Sequence, residues 1–111
     1  MDSGITIRPY VHPVTVRFHD VVIASTDHAL ELLEPNHGPV LYIPFDDIYL
    51  VHFEKTDTRT QCPWKGTASY WRVRGQGEAS EDAMWAYEDP NPGVAAIQGY
   101  GAFDPQKVTF E

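Results

Sequence analysis

Apolar and polar side chains alternate strictly from Val14 to His19, which is typical of a half-buried β-strand. Valine or phenylalanine occupies the first, third and fifth positions of this run, so one face of the strand would be apolar. His19 and Asp20 favour a turn. The apolar run 21–24 then predicts a second strand that returns beside the first and forms a hairpin.

One short helix is expected after this hairpin. Ser25, Thr26 and Asp27 belong to the residue types that commonly cap helix N-termini, and the segment 28–34 follows them. Only about two turns fit before Pro35, so this helix would depend on tertiary packing for its stability.

Short strands are predicted along most of the remaining chain. They fall at 40–43, 48–53, 67–74, 83–87, 99–103 and 107–110, and segments rich in proline, glycine and asparagine separate them. Residues 55–61 are polar and are expected to be exposed. Two prolines favour an extended lead-in over residues 1–13, ahead of a single domain at 14–111. The fold class is therefore all-β, mainly β with one short helix.

Size and composition fit one globular domain and narrow the class of its partners. The chain has 111 residues, of which 42% are hydrophobic, so a core forms without metal or disulfide. A net charge of −8 argues against nucleic-acid binding, which depends on neutralising phosphates. No apolar run approaches the roughly 20 residues that cross a bilayer, and residues 1–4 lack signal-peptide features. We expect a soluble cytoplasmic protein without nucleic-acid or membrane partners.

The segment from Cys62 to Gly66 concentrates residue types that react, pair with anions or stack on planar ligands. It holds the only cysteine of the chain, with Trp64 and Lys65 close by. Pro63 restricts φ and Gly66 frees the backbone, so we expect a tight loop that presents Lys65 in a defined direction. Lys65 would bind a phosphate or carboxylate of a ligand, or pair with an acidic neighbour at the surface.

Cys62 has no intrachain partner, which excludes an internal disulfide and a cysteine-rich zinc site. A nucleophilic role would require a stabilised thiolate, for which Lys65 and a histidine base are the candidates. The alternative is an inert buried side chain, because free cysteine is among the most buried residue types. The five histidines show no metal-ligand spacing, and no metal or other cofactor is expected.

Aromatic residues recur after this loop at Tyr70, Trp71, Trp85 and Tyr87. Trp85 and Tyr87 lie two positions apart and share one strand face. Tyr70 and Trp71 take opposite faces, so only one of them can line the same cavity as that pair. Together with Trp64, such side chains bind planar rings by stacking, or cations through the ring face. They also fill the core of a small β domain, and both roles are compatible.

An ordered set of short motifs extends along the chain. It includes 21–26, Leu33-Glu34, Tyr42-Ile43-Pro44, Asp47-Ile48, Cys62-Pro63-Trp64-Lys65-Gly66, Tyr70-Trp71 and Ala102-Phe103. Over residues 14–110 this set resembles the domain-of-unknown-function family 427, which also carries a nucleotidyltransferase-like label. The resemblance implies a β-tent-like architecture, in which two antiparallel sheets lean together.

The nucleotidyltransferase-like label has no support from motifs in the sequence. Nucleotidyl transfer needs paired carboxylates that hold a metal and a backbone that cradles phosphates. The usual pattern is Gly-Ser followed by two aspartates one residue apart, whereas this chain has Ser3-Gly4 and the adjacent pair Asp46-Asp47. Adjacent side chains on a strand face opposite ways and do not share a metal.

Three functional hypotheses follow from these patterns. The leading one is a domain that binds a small molecule, with Lys65 holding an anionic group and aromatic side chains enclosing an apolar or planar part. Its binding residues would be Trp64, Lys65, Tyr70, Trp85 and Tyr87. The second is an enzyme with Cys62 or Lys65 as the catalytic residue. The third is a non-enzymatic interaction protein that acts as a homodimer or through an exposed sheet edge.

Overall fold

The computed structural model describes residues 4–111 as two antiparallel β-sheets. The strands are β1 (Thr6–Pro9), β2 (Val14–Phe18), β3 (Val21–Thr26), β4 (Leu30–Leu33), β5 (Val40–Pro44), β6 (Phe53–Cys62), β7 (Gly66–Gly75), β8 (Glu78–Ala86), β9 (Tyr100–Phe103) and β10 (Thr109–Phe110). The larger sheet has the order β1-β4-β5-β9-β8-β7-β6, and the smaller sheet has the order β10-β2-β3. The all-β class with antiparallel sheets is confirmed.

Helical structure in the described residues is limited to short 3₁₀ turns at Phe45–Asp47, Leu50–His52 and Pro92–Ile97. No helix within residues 4–111 has the length and apolar character that a bilayer span needs. The segment Pro92–Ile97 matters for the core, because its side chains Val94 and Ile97 are buried against the larger sheet.

Two apolar clusters lie on opposite faces of the larger sheet. The inner cluster joins the two sheets and includes Val16 and Ile23 from the smaller sheet and Ile43 from the larger one. The outer cluster lies beneath the segment Pro92–Ile97 and includes Tyr42. Because successive strand residues point to opposite faces, the neighbours Tyr42 and Ile43 belong to different clusters. The candidate site described below is built on the outer cluster.

The predicted hairpin of β2 and β3 is confirmed. The three apolar residues Val14, Val16 and Phe18 are buried in the inner cluster. The turn begins at His19, whose φ is 53°. Of the later predictions, the strands at 40–43, 67–74, 83–87, 99–103 and 107–110 also form, with shifted ends.

The predicted helix over 28–34 is wrong, because Leu30–Leu33 forms strand β4. This strand pairs with β1 on one side and with β5 on the other. Two such ladders outcompete a two-turn helix, which has few hydrogen bonds and a costly nucleus. The Thr26 hydroxyl does accept a hydrogen bond from the His28 N–H at 2.9 Å, as an N-cap residue would, but a strand follows it.

The expected N-terminal lead-in contributes a strand to the larger sheet. Residues Thr6–Pro9 form β1 and pair antiparallel with β4, from Thr6–Leu33 to Pro9–Leu30. Because β1 is an edge strand, Pro9 fits there despite its lack of an N–H group. Residues 1–3 of the predicted lead-in lie outside the described residues.

The predicted strand over 48–53 is wrong as well. Leu50–His52 forms a 3₁₀ turn, and strand β6 starts at Phe53 and runs through the polar segment 55–61. As an edge strand of the larger sheet, β6 has mostly solvent-facing side chains, and charged residues on such an edge oppose pairing with other chains. Its threonines at 56, 58 and 60 favour strand structure and share one strand face.

Candidate functional site

The loop that joins β6 to β7 is fixed by its contacts with Asn91. The ladder of the two strands ends at the pair Cys62–Gly66, so Pro63, Trp64 and Lys65 form the loop. The Asn91 side-chain amide donates to the Pro63 carbonyl at 3.2 Å, and the Asn91 backbone N–H donates to the Lys65 carbonyl at 3.0 Å. Gly66 has a φ of +111°, which residues with a Cβ rarely adopt. This loop is as tight as the sequence predicted.

The Lys65 side chain is buried and ion-paired. Its Nζ lies 2.6 Å from Glu34 Oε1 and 5.9 Å from the centroid of the Tyr87 ring. Only 8% of Lys65 is exposed. Lys65 therefore pairs with an acidic neighbour, which is one of the two roles expected from the sequence.

A cavity of about 320 Å³ opens beside this ion pair on the outer face of the larger sheet. Four of the five predicted binding residues line it: Lys65, Tyr70, Trp85 and Tyr87. The fifth, Trp64, lies on the surface and is 41% exposed. Tyr70 and Trp85 form a cross-strand pair of β7 and β8. Trp71 packs against the inner cluster, so the predicted opposition of Tyr70 and Trp71 is confirmed.

The facing wall of the cavity comes from β4, β5 and the loop between them, which the sequence analysis did not connect with the site. Its residues are Leu32, Glu34, His37, Val40 and Tyr42. In the sequence, only the two-residue spacing of Val40 and Tyr42 pointed to this wall, since it predicts that both side chains share a strand face. Nothing in the spacing indicated that this face would meet that of Trp85.

Two largely buried tyrosines line this cavity. Tyr42 is 1% exposed and Tyr87 is 7% exposed. Burial is the main cause that raises the pKa of Tyr42 to about 12. Burial, reinforced by the nearby Tyr42, also raises the pKa of Tyr87. Both hydroxyl groups therefore stay protonated at neutral pH and act as hydrogen-bond donors.

These two hydroxyl groups differ in their partners. Tyr42 Oη accepts a hydrogen bond from Trp85 Nε1 at 3.4 Å, and its own proton has no acceptor within residues 4–111. The Tyr87 hydroxyl has no hydrogen-bond partner within the same residues, and because no fully buried side-chain polar atom there lacks a partner, solvent reaches this hydroxyl. By contrast, the Tyr70 hydroxyl lies 2.9 Å from the Thr60 hydroxyl. The cavity thus contains at least two donors whose protons are available.

Two further carboxylates line the cavity. Asp82 accepts hydrogen bonds from the hydroxyl groups of Thr56 at 2.6 Å and Thr58 at 2.7 Å. The Thr56 bond is the largest cause that lowers the pKa of Asp82, and it keeps this group ionised. The other carboxylate is Asp104, whose Oδ2 lies 3.9 Å from Lys107 Nζ.

An apolar groove of about 560 Å³ adjoins the cavity, and the two share His37, Val40 and Trp85. It forms where β5 and β9 stop pairing, since their register covers only Ile43–Gly101 and Pro44–Tyr100 within the described residues. Beyond these pairs the strands separate. The remaining lining residues of the groove are Gly38, Pro39, Leu41, Phe103, Pro105 and Phe110.

A sequence profile described as "Domain of unknown function (DUF427)" matches residues 6–111. The chain belongs to this family. The matched span includes all ten strands, so in this chain the DUF427 domain comprises both sheets, the cavity and the groove. No curated protein matches the chain.

The other candidate residues of this DUF427 domain, Cys62 and Asp47, do not line the cavity. Cys62 is half-buried, packs against the outer cluster and has no hydrogen bond to a histidine within residues 4–111. Asp47 lies in a 3₁₀ turn and accepts a hydrogen bond from the Thr26 hydroxyl at 2.6 Å. Among the described residues, no group of three or more His, Cys, Asp or Glu side chains is placed to hold a metal ion.

Proposed function

We propose that this DUF427 domain binds a small molecule in the cavity beside the Cys62–Gly66 loop. The observation that carries the proposal is the cavity itself, in which Lys65, Tyr70, Trp85 and Tyr87 come together beside the loop. The Tyr87 side chain is largely buried, and its hydroxyl has no hydrogen-bond partner within residues 4–111 but is reached by solvent. A polar atom of a bound ligand can take the place of water there.

The dimensions and the lining support the same proposal. Small-molecule sites have volumes of roughly 300–1,000 Å³ and combine apolar walls with a few oriented polar groups. The cavity and its adjoining groove, at about 320 and 560 Å³, fall in that range. Tyr70 and Trp85 offer ring faces to a planar ligand. The rigid loop and the Glu34 carboxylate hold Lys65 in place, so the site is preorganised.

The ion pair favours binding over covalent chemistry at Lys65. An amine that attacks a carbonyl must have its nitrogen free to approach the carbonyl carbon, whereas Lys65 Nζ is engaged with the Glu34 carboxylate at 2.6 Å. Cys62 in turn lacks a hydrogen-bonded histidine base within the described residues. The role of Lys65 is therefore that of a charged, fixed element of the cavity wall.

Tryptophan fluorescence tests this proposal, because Trp85 lines both the cavity and the groove. The double variant Trp64→Phe/Trp71→Phe retains Trp85 as the only tryptophan reporter. Titrating a broad set of metabolites into this variant should give a saturable change in emission for at least one compound. The matched control is Trp85→Phe, which keeps Trp64 and Trp71 and should show no such change with the same compound.

Two results would count against the proposal. One is the absence of a saturable response in the Trp85-only variant across the whole metabolite set, with thermal unfolding showing that the variant is folded. The other is a response that Trp85→Phe retains in full, which would place binding elsewhere on the domain.

A further inference from the structure

We infer that the ligand of this cavity is a neutral planar molecule that presents a carbonyl oxygen to Tyr87, with an apolar part in the groove beyond Trp85. The inference rests on the proposed function and specifies the chemical class of its ligand. It differs from the expectation that Lys65 captures an anionic group.

Several hydrogen-bond donors of the cavity have protons that no described residue accepts. The hydroxyl protons of Tyr87 and Tyr42 have no acceptor within residues 4–111, and solvent reaches the Tyr87 hydroxyl. Lys65 Nζ carries three N–H groups and gives one of them to Glu34. An acceptor atom of a ligand can pair with these protons, and a carbonyl oxygen accepts two such bonds through its two lone pairs.

The charges around these donors disfavour an anionic acceptor. The carboxylates of Glu34, Asp82 and Asp104 line the cavity, against the single ammonium of Lys65. Glu34 already balances that ammonium at 2.6 Å, and Lys107 offsets Asp104 only from 3.9 Å. An anion would lose its hydration in this cavity and gain no unpaired positive charge in return. A neutral oxygen receives the same hydrogen bonds at a lower desolvation cost.

The continuity of cavity and groove determines where the rest of the ligand lies. Trp85 and Val40 line both spaces, so a molecule whose carbonyl reaches Tyr87 can extend past them into the groove. The groove walls there are largely apolar and include Leu41 and Phe103. A flat apolar body gains both burial and contact with the indole ring in this position.

Three probes with the same bicyclic body separate the contribution of a neutral acceptor from those of a negative charge and of the apolar body. 2-Acetylnaphthalene carries a neutral carbonyl, 2-naphthoate carries a carboxylate, and 2-ethylnaphthalene carries no acceptor. Binding of each to the full chain is measured by ligand-observed NMR titration at neutral pH. We expect the ketone to bind about tenfold more tightly than either of the other two, which corresponds to one or two neutral hydrogen bonds.

A matched pair of tyrosine variants assigns this preference to the site. Tyr87→Phe removes the hydroxyl and keeps the ring, and it should bring the affinity for the ketone down to that for 2-ethylnaphthalene. Tyr100→Phe makes the same chemical change at a residue that packs against the outer cluster without lining the cavity. This control should bind the ketone as the wild-type protein does, and thermal unfolding verifies that both variants are folded.

Each other outcome overturns the inferred ligand class. Tighter binding of the carboxylate would show that the cavity selects anions. Equal binding of the ketone and 2-ethylnaphthalene, or full ketone affinity in Tyr87→Phe, would show that the hydroxyl recognises no acceptor. In these cases the probes still bind and the proposed function stands. Failure of the ketone to bind also rejects the class, and the proposed function then falls only if the metabolite titration fails as well.

Discussion

Replacing Glu34 with glutamine removes the carboxylate that neutralises the Lys65 ammonium. The two side chains come from distant parts of the sequence, one directly after β4 and the other in the loop between β6 and β7. Relative exposures of 10% for the Lys65 side chain and 21% for the Glu34 side chain place the pair between a surface and a fully buried ion pair. The loss of stability should fall between the values typical of these two limits.

The expected magnitude follows from that placement. Exposed pairs contribute about 0–1 kcal/mol, and breaking a fully buried pair by removing one partner costs about 3–5 kcal/mol. We therefore expect Glu34→Gln to lower the free energy of unfolding by about 2–3 kcal/mol. Lys65→Met should cost less, because the Glu34 carboxylate that remains is closer to water than the ammonium. For a domain of this size each kcal/mol lowers Tm by about 4 °C or more.

Urea unfolding of both single variants and of the double variant Glu34→Gln/Lys65→Met measures these effects. The double variant should recover most of the lost stability, since replacing both charged groups by neutral ones leaves no unpaired ion. A loss below about 0.5 kcal/mol in Glu34→Gln, the usual range for surface substitutions, would refute the reasoning. Strictly additive losses in the double variant would also refute it, because they would mean that the two groups do not interact.

Three further predictions concern the hydroxyl groups and the loop. The pKa of Asp82 is lower in the folded than in the unfolded protein, so ionised Asp82 stabilises the fold above its unfolded pKa, and this stabilisation is lost as pH falls through its folded pKa. In the double variant Thr56→Val/Thr58→Val, urea unfolding should therefore show a smaller decrease in the free energy of unfolding between about pH 5 and pH 2. Because the pKa of Tyr42 is raised from 10.0 to about 12 in the folded protein, the contribution of its protonated hydroxyl to stability is complete below pH 10.0 and is lost as pH rises toward about 12. The Tm of Tyr42→Phe should therefore fall less than that of the wild-type protein over this alkaline range. Gly66→Ala should cost about 1–3 kcal/mol in thermal unfolding, because alanine is strained at a φ of +111°. These expectations would be contradicted if the threonine double variant lost as much stability in acid as the wild-type protein. They would also be contradicted if Tyr42→Phe showed the wild-type fall of Tm at alkaline pH, or if Gly66→Ala kept the wild-type Tm.

Local alternation was sufficient to predict that Tyr70 and Trp71 take opposite faces of the larger sheet. Tyr70 and Trp85 lie on the outer face and Trp71 on the inner face, because the period of two holds wherever a strand forms. The tight loop before Gly66 was equally local, since proline and glycine restrict or free the backbone at their own positions. These features depend on neighbours in sequence, which is why the pattern contains them.

Strand β4 shows what local signals miss. The run after Thr26 has helix-capping residues and good helix formers, and a hydrogen bond from the His28 N–H to the Thr26 hydroxyl does form. The segment Leu30–Leu33 nevertheless becomes a strand because β1 and β5 pair with it from both sides. The partner strands are remote in the sequence, and a short segment takes its conformation from such tertiary pairing.

The acidic partner of Lys65 could not be predicted from the sequence either, because it too is remote along the chain. Sixteen acidic residues were available to pair with it, and only the register of β4 places Glu34 beside the loop. The presence of Glu34 beside Lys65 determines which ligands the cavity favours, because a paired Lys65 does not attract anions as a free ammonium would. The expectation of an anionic ligand came from the residue type alone, and the proposed ligand class comes from its partner.

The groove depends on an incomplete ladder within the larger sheet. If β5 and β9 paired along their full lengths, the backbones near Leu41 and Phe103 would lie about 5 Å apart, and no space for a ligand would remain between them. Their pairing instead ends after Ile43–Gly101, and the Tyr42–Trp85 hydrogen bond joins the two sides beyond that point. The groove thus exists because the β5–β9 ladder is short, and the alternation of side chains along the strands determines which residues line it. An apolar group of a ligand in this position would contact both halves of the sheet.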